Sequence, residues 1–185
     1  LLEAFDITTT SMKVRWVGPT DAVGYKIEYK KVSDANFNVP PIVIAVNEFN
    51  ITELKSGTEY DIRVTTICSD GTSSTFSAIV AKTSDCTPPN NVRVRTGSLT
   101  TTSVVIEWDQ VPGVISYTVF WVDDNNVTQS SGTLNNQNRN FEIKNLTENR
   151  KYNVYVSVDC GDGLSATSTT IEFTTNQTCS APTNL

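Results

Sequence analysis

The sequence predicts an all-β protein made of two tandem β-sandwiches, and three observations support this prediction. A length of 185 residues suits two sandwich domains of about 100 residues each. The sequence repeats itself once along its length. Within each copy, apolar residues alternate with polar ones, and no segment has a sustained helical periodicity. These observations favour short antiparallel strands with one buried face.

The internal repeat defines the domains. A shift of 92 positions superposes most landmarks, and a shift of 93 superposes the cysteines that follow each copy. The superposed pairs are Ser11/Ser103, Trp16/Trp108, Tyr25/Tyr117, Tyr60/Tyr152, Cys68/Cys160, Gly71/Gly163, Thr83/Thr175 and, with one inserted residue, Cys86/Cys179. The repeat predicts one domain over 1–84, a second over 85–176, and the start of a further domain over 177–185. By comparison with the second copy, we expect the first strand to begin before Leu1, or in a preceding unit.

The predicted core follows the two-residue period. In the first copy the inward positions fall in runs such as Val14-x-Trp16 and Tyr60-x-Ile62-x-Val64. The second copy repeats these runs around Trp108 and Tyr152. Breakers such as Asp70-Gly71 and Asp162-Gly163 separate the runs.

These features together resemble the fibronectin type III family over nearly the whole chain. The resemblance rests on Trp16 and Trp108 on the second strand, the Tyr-x-Ile/Val-x-aromatic third strand, and the stretch from Leu54 to Tyr60. The last resembles the tyrosine corner of these sandwiches. In the second copy Asn149 replaces Gly57, a mild departure because Asn tolerates a left-handed backbone. The resemblance implies two seven-stranded immunoglobulin-like sandwiches whose structural core includes Trp16, Tyr60, Trp108 and Tyr152.

Four cysteines at matching places suggest disulfides and an oxidising compartment. A metal site is disfavoured, because the sequence has no His and no Cys-x-x-Cys pair. Four cysteines allow three pairings. The resemblance implies the pairing of Cys86 with Cys160, because in this family the amino terminus lies at the same pole as the turn after the sixth strand. Cys68 and Cys179 are then paired across the unit boundary or unpaired in the fragment.

The two ends of the sequence match in register. Seventeen positions separate Cys86 from Ser103, and 17 also separate Cys179 from Ser11 when Leu185 is joined to Leu1. One hypothesis is therefore that 185 residues form one period of a longer polymer, within one chain or between subunits. Cys179 would then bond to Cys68 of the following unit. The alternative is a cut at an arbitrary place.

Composition and motifs argue against several function classes. The net charge of −6 disfavours nucleic acid, and no apolar run reaches the ~20 residues of a membrane span. The absence of an initiator Met and of a leader indicates a fragment or a processed product. Without His, a Ser-His-Asp or Cys-His arrangement cannot be built. We interpret Asp123-Asp124 as a solvated turn, and we expect no enzyme activity, cofactor or metal.

Four Asn-x-Thr sequons are candidate glycosylation sites. They lie at Asn50, Asn126, Asn145 and Asn176. A chain this rich in Asn, Ser and Thr contains about this many sequons by chance, so their number carries no evidence. No Arg-Gly-Asp triplet is present.

The sequence thus predicts an extracellular or cell-surface structural unit of a filament, stalk or spacer. Its expected partners are neighbouring copies of the same domains, in the same chain or an adjacent subunit. A protein or glycan ligand, if there is one, cannot be identified from the sequence. The alternative functions are an adhesion or recognition module of a cell-surface receptor, or accessory domains of a secreted bacterial enzyme.

Overall fold

A computed structural model of the chain describes residues 1–37 and 41–179. The chain divides into two compact units, Leu1–Asp85 and Cys86–Leu185. Most of the segment expected to start a further domain, residues 180–185, lies outside the described residues.

The first unit contains seven strands. They are β1 (Leu2–Phe5), β2 (Met12–Trp16), β3 (Ala22–Lys31), β4 (Ile42–Ile44), β5 (Glu48–Ile51), β6 (Glu59–Cys68) and β7 (Ser77–Lys82). A three-stranded sheet has the order β1-β2-β5, and a four-stranded sheet has the order β4-β3-β6-β7. All the pairings are antiparallel.

The second unit repeats this arrangement with nine strand segments. They are β8 (Arg93–Val94), β9 (Val104–Glu107), β10 (Ser116–Asp123), β11 (Thr128–Ser130), β12 (Leu134–Asn135), β13 (Asn140–Ile143), β14 (Lys151–Gly161), β15 (Leu164–Thr167) and β16 (Ile171–Thr174). One sheet has the order β13-β9-β8. The other has the order β11-β10-β14-β15, with β12 also pairing β10 and β16 also pairing β14.

The nine segments correspond to seven strands, two of which are interrupted by serine. Ser168 separates β15 from β16. Its Oγ accepts the Val156 N–H at 3.0 Å, in the place of a ladder carbonyl, while its own N–H donates to the Val156 carbonyl. Ser131 makes the same pair of bonds with Val119 between β11 and β12. The predicted all-β fold of two tandem seven-stranded sandwiches is thus confirmed.

The predicted alternation fills both cores. On β2, Met12, Val14 and Trp16 are buried, whereas Lys13 and Arg15 point away from the core. On β6, Tyr60, Ile62 and Val64 are buried, and on β14 every second residue from Tyr152 to Cys160 is buried. The two-residue period of a strand therefore places these side chains between the two sheets of each unit.

The register of the first strand differs between the two units. β1 spans Leu2–Phe5, and Leu2 pairs with Trp16; that the strand begins before Leu1 stays a prediction. In the second unit Val94 pairs with Ile106. The 92-residue shift maps this pair onto Leu2 and Val14, but in the first unit Val14 pairs with Ala4. The first strand is shifted by two residues, which keeps the same side chains facing inward because the side-chain period is also two.

Candidate functional site: the Cys86–Cys160 bridge and the equivalent Cys68

A disulfide joins the start of the second unit to its longest strand. The Sγ atoms of Cys86 and Cys160 are 2.11 Å apart and the Cα atoms 5.7 Å. Cys160, on β14, is fully buried, and Cys86 is half-buried and packs against the same core. This is the pairing that the family resemblance implied. It ties the chain that leads into the short strand β8 to a strand in the middle of the opposite sheet.

Local turn chemistry places Cys160 at this end of the sheet. β14 ends in a bulge, after which the chain reverses into β15 through Asp162 and Gly163. Gly161 and Gly163 have φ angles of +80° and +76°, which glycine adopts without a steric penalty. The Gly161 N–H also donates to the Asp159 carboxylate at 2.8 Å.

The segment that carries Cys86 is held by more than the disulfide. Pro89 is buried. The Asn90 carbonyl accepts the Asp109 N–H at 3.0 Å. Residues 86–90 are therefore part of the second sandwich, attached by one covalent bond, one buried ring and one backbone hydrogen bond.

Cys68 occupies the position in the first unit that Cys160 occupies in the second. It is the last residue of β6, pairs with Ala22 on β3, and is followed by the Asp70-Gly71 turn. Its thiol is free and half-buried, and the thiol of Cys179 is free and exposed. The proposed bond between them across a unit boundary stays a prediction.

The residues next to both free cysteines are fixed by charged hydrogen bonds. Asp70 accepts the Thr72 hydroxyl at 2.7 Å and its N–H at 2.9 Å, and these bonds lower the pKa of the Asp70 carboxyl. Glu148 likewise accepts the hydroxyl and the N–H of Thr178, which lowers the pKa of Glu148. Cys68 thus precedes an ordered turn, and Cys179 follows a threonine that is held by Glu148.

The four predicted core aromatics are buried, and the two tyrosines form matching corners. The Tyr60 hydroxyl accepts the Lys55 N–H at 2.8 Å, and the Tyr152 hydroxyl accepts the Thr147 N–H at 3.0 Å. Trp16 and Trp108 are buried between the sheets of their units, 6% and 3% exposed. Each corner hydroxyl thereby satisfies a backbone donor at the entry to the sixth strand.

Sequence reasoning missed the threonines that complete these corners. Buried Thr83 accepts the Thr58 N–H at 2.9 Å and donates to the Lys55 carbonyl at 2.6 Å. Thr175 makes the equivalent bonds in the second unit, with Arg150 and Thr147. The only available signal was that these two threonines superpose in the repeat.

A cation–π stack on the outer face of β6 was also missed. The Arg63 guanidinium lies 4.4 Å from the Phe37 ring centroid and 4.5 Å from that of Phe76. Asp61 pairs with the same guanidinium at 3.2 Å. No local pattern signals this stack, because the two rings come from loops that are far apart in sequence.

All four sequon asparagines are exposed. Asn50 lies on β5, and Asn126 and Asn145 have φ angles of +61° and +59°. The Asn176 side-chain amide donates to the Leu99 carbonyl at 3.0 Å. Glycosylation of these residues stays a prediction.

The Asp123-Asp124 pair forms local hydrogen bonds and ion pairs. Asp123 accepts the N–H groups of Asn125 and Val127 in a turn, and Arg150 pairs with Asp123 and Asp124. Among residues 1–37 and 41–179, no group of three or more His, Cys, Asp or Glu side chains converges on a common point. In that same part of the chain, no helix is long and apolar enough to cross a membrane.

Known proteins match the chain in sequence and in structure. It is 28% identical over 187 residues to the collagen alpha-1(XII) chain of Oryctolagus cuniculus, an alignment that covers all of this chain and 28% of the relative. A two fibronectin type-III domain segment from chicken tenascin is 22% identical, covering 93% of this chain and 95% of that chain, with a TM-score of 0.43. The chicken CNTN1 FN1-FN3 domains are 17% identical, covering 92% of this chain and 62% of that chain, with a TM-score of 0.46.

The family comparison agrees with the boundaries of the two sandwiches. The model of the fibronectin type III domain matches the chain twice, over residues 2–83 and 87–174. The chain therefore belongs to the fibronectin type III family, as two tandem domains.

Proposed function

We propose that this chain is a spacer in an extracellular or cell-surface stalk or filament built from tandem fibronectin type III domains. The observation that carries the proposal is the Cys86–Cys160 bridge, which fastens the opening segment of a domain to its central strand. A disulfide suits an oxidising compartment. The similarity to part of a collagen alpha-1(XII) chain supports a place within a longer protein.

The bridge has a mechanical consequence. A pulling force on the start of the second domain would otherwise act on β8, a strand of two residues. With the bridge closed, the force passes to Cys160 on β14, which pairs with β10, β15 and β16. Many ladder hydrogen bonds then have to break together before the domain opens. The proposed role of the chain is therefore mechanical and involves no chemical reaction.

Force spectroscopy on the whole 185-residue chain tests the proposal, with handles attached by chemistry that spares cysteine. The closed bridge shields a loop with a sequence separation of 74 residues. Reduction should therefore lengthen the second domain's unfolding step by about 250 Å, at ~3.4 Å per residue. Reduction should also lower its unfolding force, while the first domain serves as an unchanged control. An unfolding force that is the same with the bridge open and closed would contradict the proposed mechanical role of the bridge.

A further inference from the structure

The chain that leaves the first domain is fastened to that domain as far as Ser84. Thr83 is buried, and its hydroxyl donates to the Lys55 carbonyl at 2.6 Å. The Ser84 N–H donates to the Thr8 carbonyl at 2.9 Å, and the Ser84 carbonyl accepts the Gly57 N–H at 3.0 Å. Ser84 therefore belongs to the first domain through both of its backbone polar groups.

The next residue, Asp85, contacts the first domain through its side chain. The Lys82 ammonium group donates to both carboxylate oxygens of Asp85, at 2.9 and 3.0 Å. A Cβ atom added to Gly57 would lie 2.6 Å from Asp85 Oδ1, so the carboxylate packs closely against this glycine. Because both partners of the ion pair are largely exposed, the pair orients Asp85 more weakly than the backbone bonds hold Ser84.

The second domain takes hold of the chain one residue later. Cys86 is bonded to Cys160, which is buried on β14. Without this bond, the first attachments to the second domain would be buried Pro89 and the Asn90 carbonyl, which accepts the Asp109 N–H at 3.0 Å. Residues 87 and 88 are exposed. The bridge therefore moves the first attachment of the second domain from residue 89 to residue 86.

We propose that the Cys86–Cys160 bridge limits the connection between the two domains to Asp85, and that it thereby couples their tumbling in solution. A residue has only two soft backbone torsions, so a connection of one residue permits little independent motion. From Ser84 to Cys86 the chain spans at most about 7 Å, whereas from Ser84 to Pro89 it spans at most about 18 Å. Opening the bridge would thus more than double the reach of the connection.

The two prolines limit the freedom that is released. Pro88 and Pro89 have a fixed φ angle, so the added motion lies mainly at residues 86 and 87. The inference deepens the proposed spacer function and rests on it for its purpose, because a spacer keeps its two ends at a set distance only if its connections are short.

Nuclear magnetic resonance on the whole 185-residue chain tests the coupling. Residual dipolar couplings give an alignment tensor for each domain, and ¹⁵N relaxation gives the rotational correlation time of each. In the bridged chain both domains should share one alignment tensor. In Cys86→Ser/Cys160→Ala the tensors should differ, and each correlation time should fall by roughly a quarter, because a flexibly tethered domain tumbles partly on its own. The dispersion of the amide spectrum shows whether the second domain of this variant is folded.

Two insertions test the same inference with the bridge intact. Two glycines inserted after Asp85 lengthen the connection itself, so the alignment tensors should separate as they do in the bridge-free variant. The same two glycines inserted after Thr87 lie between Cys86 and Pro89, which are both attached to the second domain. This second insertion is the matched control, and it should leave the shared tensor unchanged.

Three results would overturn the inference. They are separate tensors in the bridged chain, a shared tensor in the folded bridge-free variant, and equal effects of the two insertions. Separate tensors in the bridged chain would still leave the path of force through Cys160 intact, whereas an unchanged unfolding force would leave a shared tensor intact. The failure of this inference and the failure of the proposed function are therefore distinguishable.

Discussion

Opening the Cys86–Cys160 bridge should destabilise one domain and leave the other unchanged. The perturbation is either full reduction with dithiothreitol or the double substitution Cys86→Ser/Cys160→Ala. Alanine is chosen at position 160 because that side chain is fully buried, and a serine hydroxyl there would add the cost of an unsatisfied polar group.

The expected magnitude follows from the loop that the bridge closes. For a sequence separation of 74 residues, the chain-entropy model gives about 4 kcal/mol of lost stability. In a domain of about 100 residues, 1 kcal/mol corresponds to roughly 4–8 °C in melting temperature. The melting temperature of the second domain should therefore fall by about 20 °C.

Differential scanning calorimetry of the whole chain supplies the assay. Two transitions are expected, and Tyr60→Phe identifies the one that belongs to the first domain. The double variant Cys68→Ser/Cys179→Ser is the matched control, because it removes two cysteines that are not bonded within this chain. A fall of less than about 3 °C, or equal falls in both transitions, would refute the entropic account of the bridge.

Three further predictions concern single domains. Tyr60→Phe should destabilise the first domain, and Tyr152→Phe the second, by about 1–2 kcal/mol each in urea unfolding, because each leaves a backbone N–H without the corner hydroxyl that accepts its hydrogen bond. A loss in both domains from one substitution would contradict this. Gly57 has a φ angle of +62°, so Gly57→Ala should lower the stability of the first domain by about 1 kcal/mol. Asn149 has a φ angle of +50°, so Asn149→Gly should leave the second domain as stable or make it more stable. The urea midpoints of the two variants check this contrast. Bonds from Arg95 and Arg93 hold the pKa of Glu107 below its ordinary value of 4.5. The stabilising contribution of Glu107 is therefore present above pH 4.5 and is lost as the pH falls through its lower folded-state pKa. The urea midpoint of the second domain should fall more steeply below pH 4.5 in the unmodified chain than in Glu107→Gln, and equal slopes would argue against this contribution.

Much of the fold could be predicted because the relevant signals are local or repeated. Trp16, Tyr60 and their repeat equivalents lie on strands whose two-residue period is visible in the sequence, and burial follows from that period. Asn149 was expected to adopt a left-handed backbone in place of Gly57, and its φ is +50°. The candidate site was predictable only through the family, since four cysteines alone allow three pairings.

The remaining features depend on contacts between residues far apart in the chain. The two-residue shift of β1 is invisible to the 92-residue repeat, because either register buries the same face. Ser131 and Ser168 resemble ordinary exposed strand residues until a partner N–H is found opposite each. The Arg63 stack needs Phe37 and Phe76, each brought to β6 by a separate loop.

The sequence by itself determined two β-sandwiches, their inward-facing residues and the left-handed backbone at the equivalent positions Gly57 and Asn149, because these depend on spacing and on backbone sterics. Only the tertiary structure decided the register of the first strand, the interruptions of two strands and the cation–π stack around Arg63. These depend on distances between strands that no local pattern encodes. The thiol of Cys68 is free, whereas the equivalent Cys160 is bonded to Cys86.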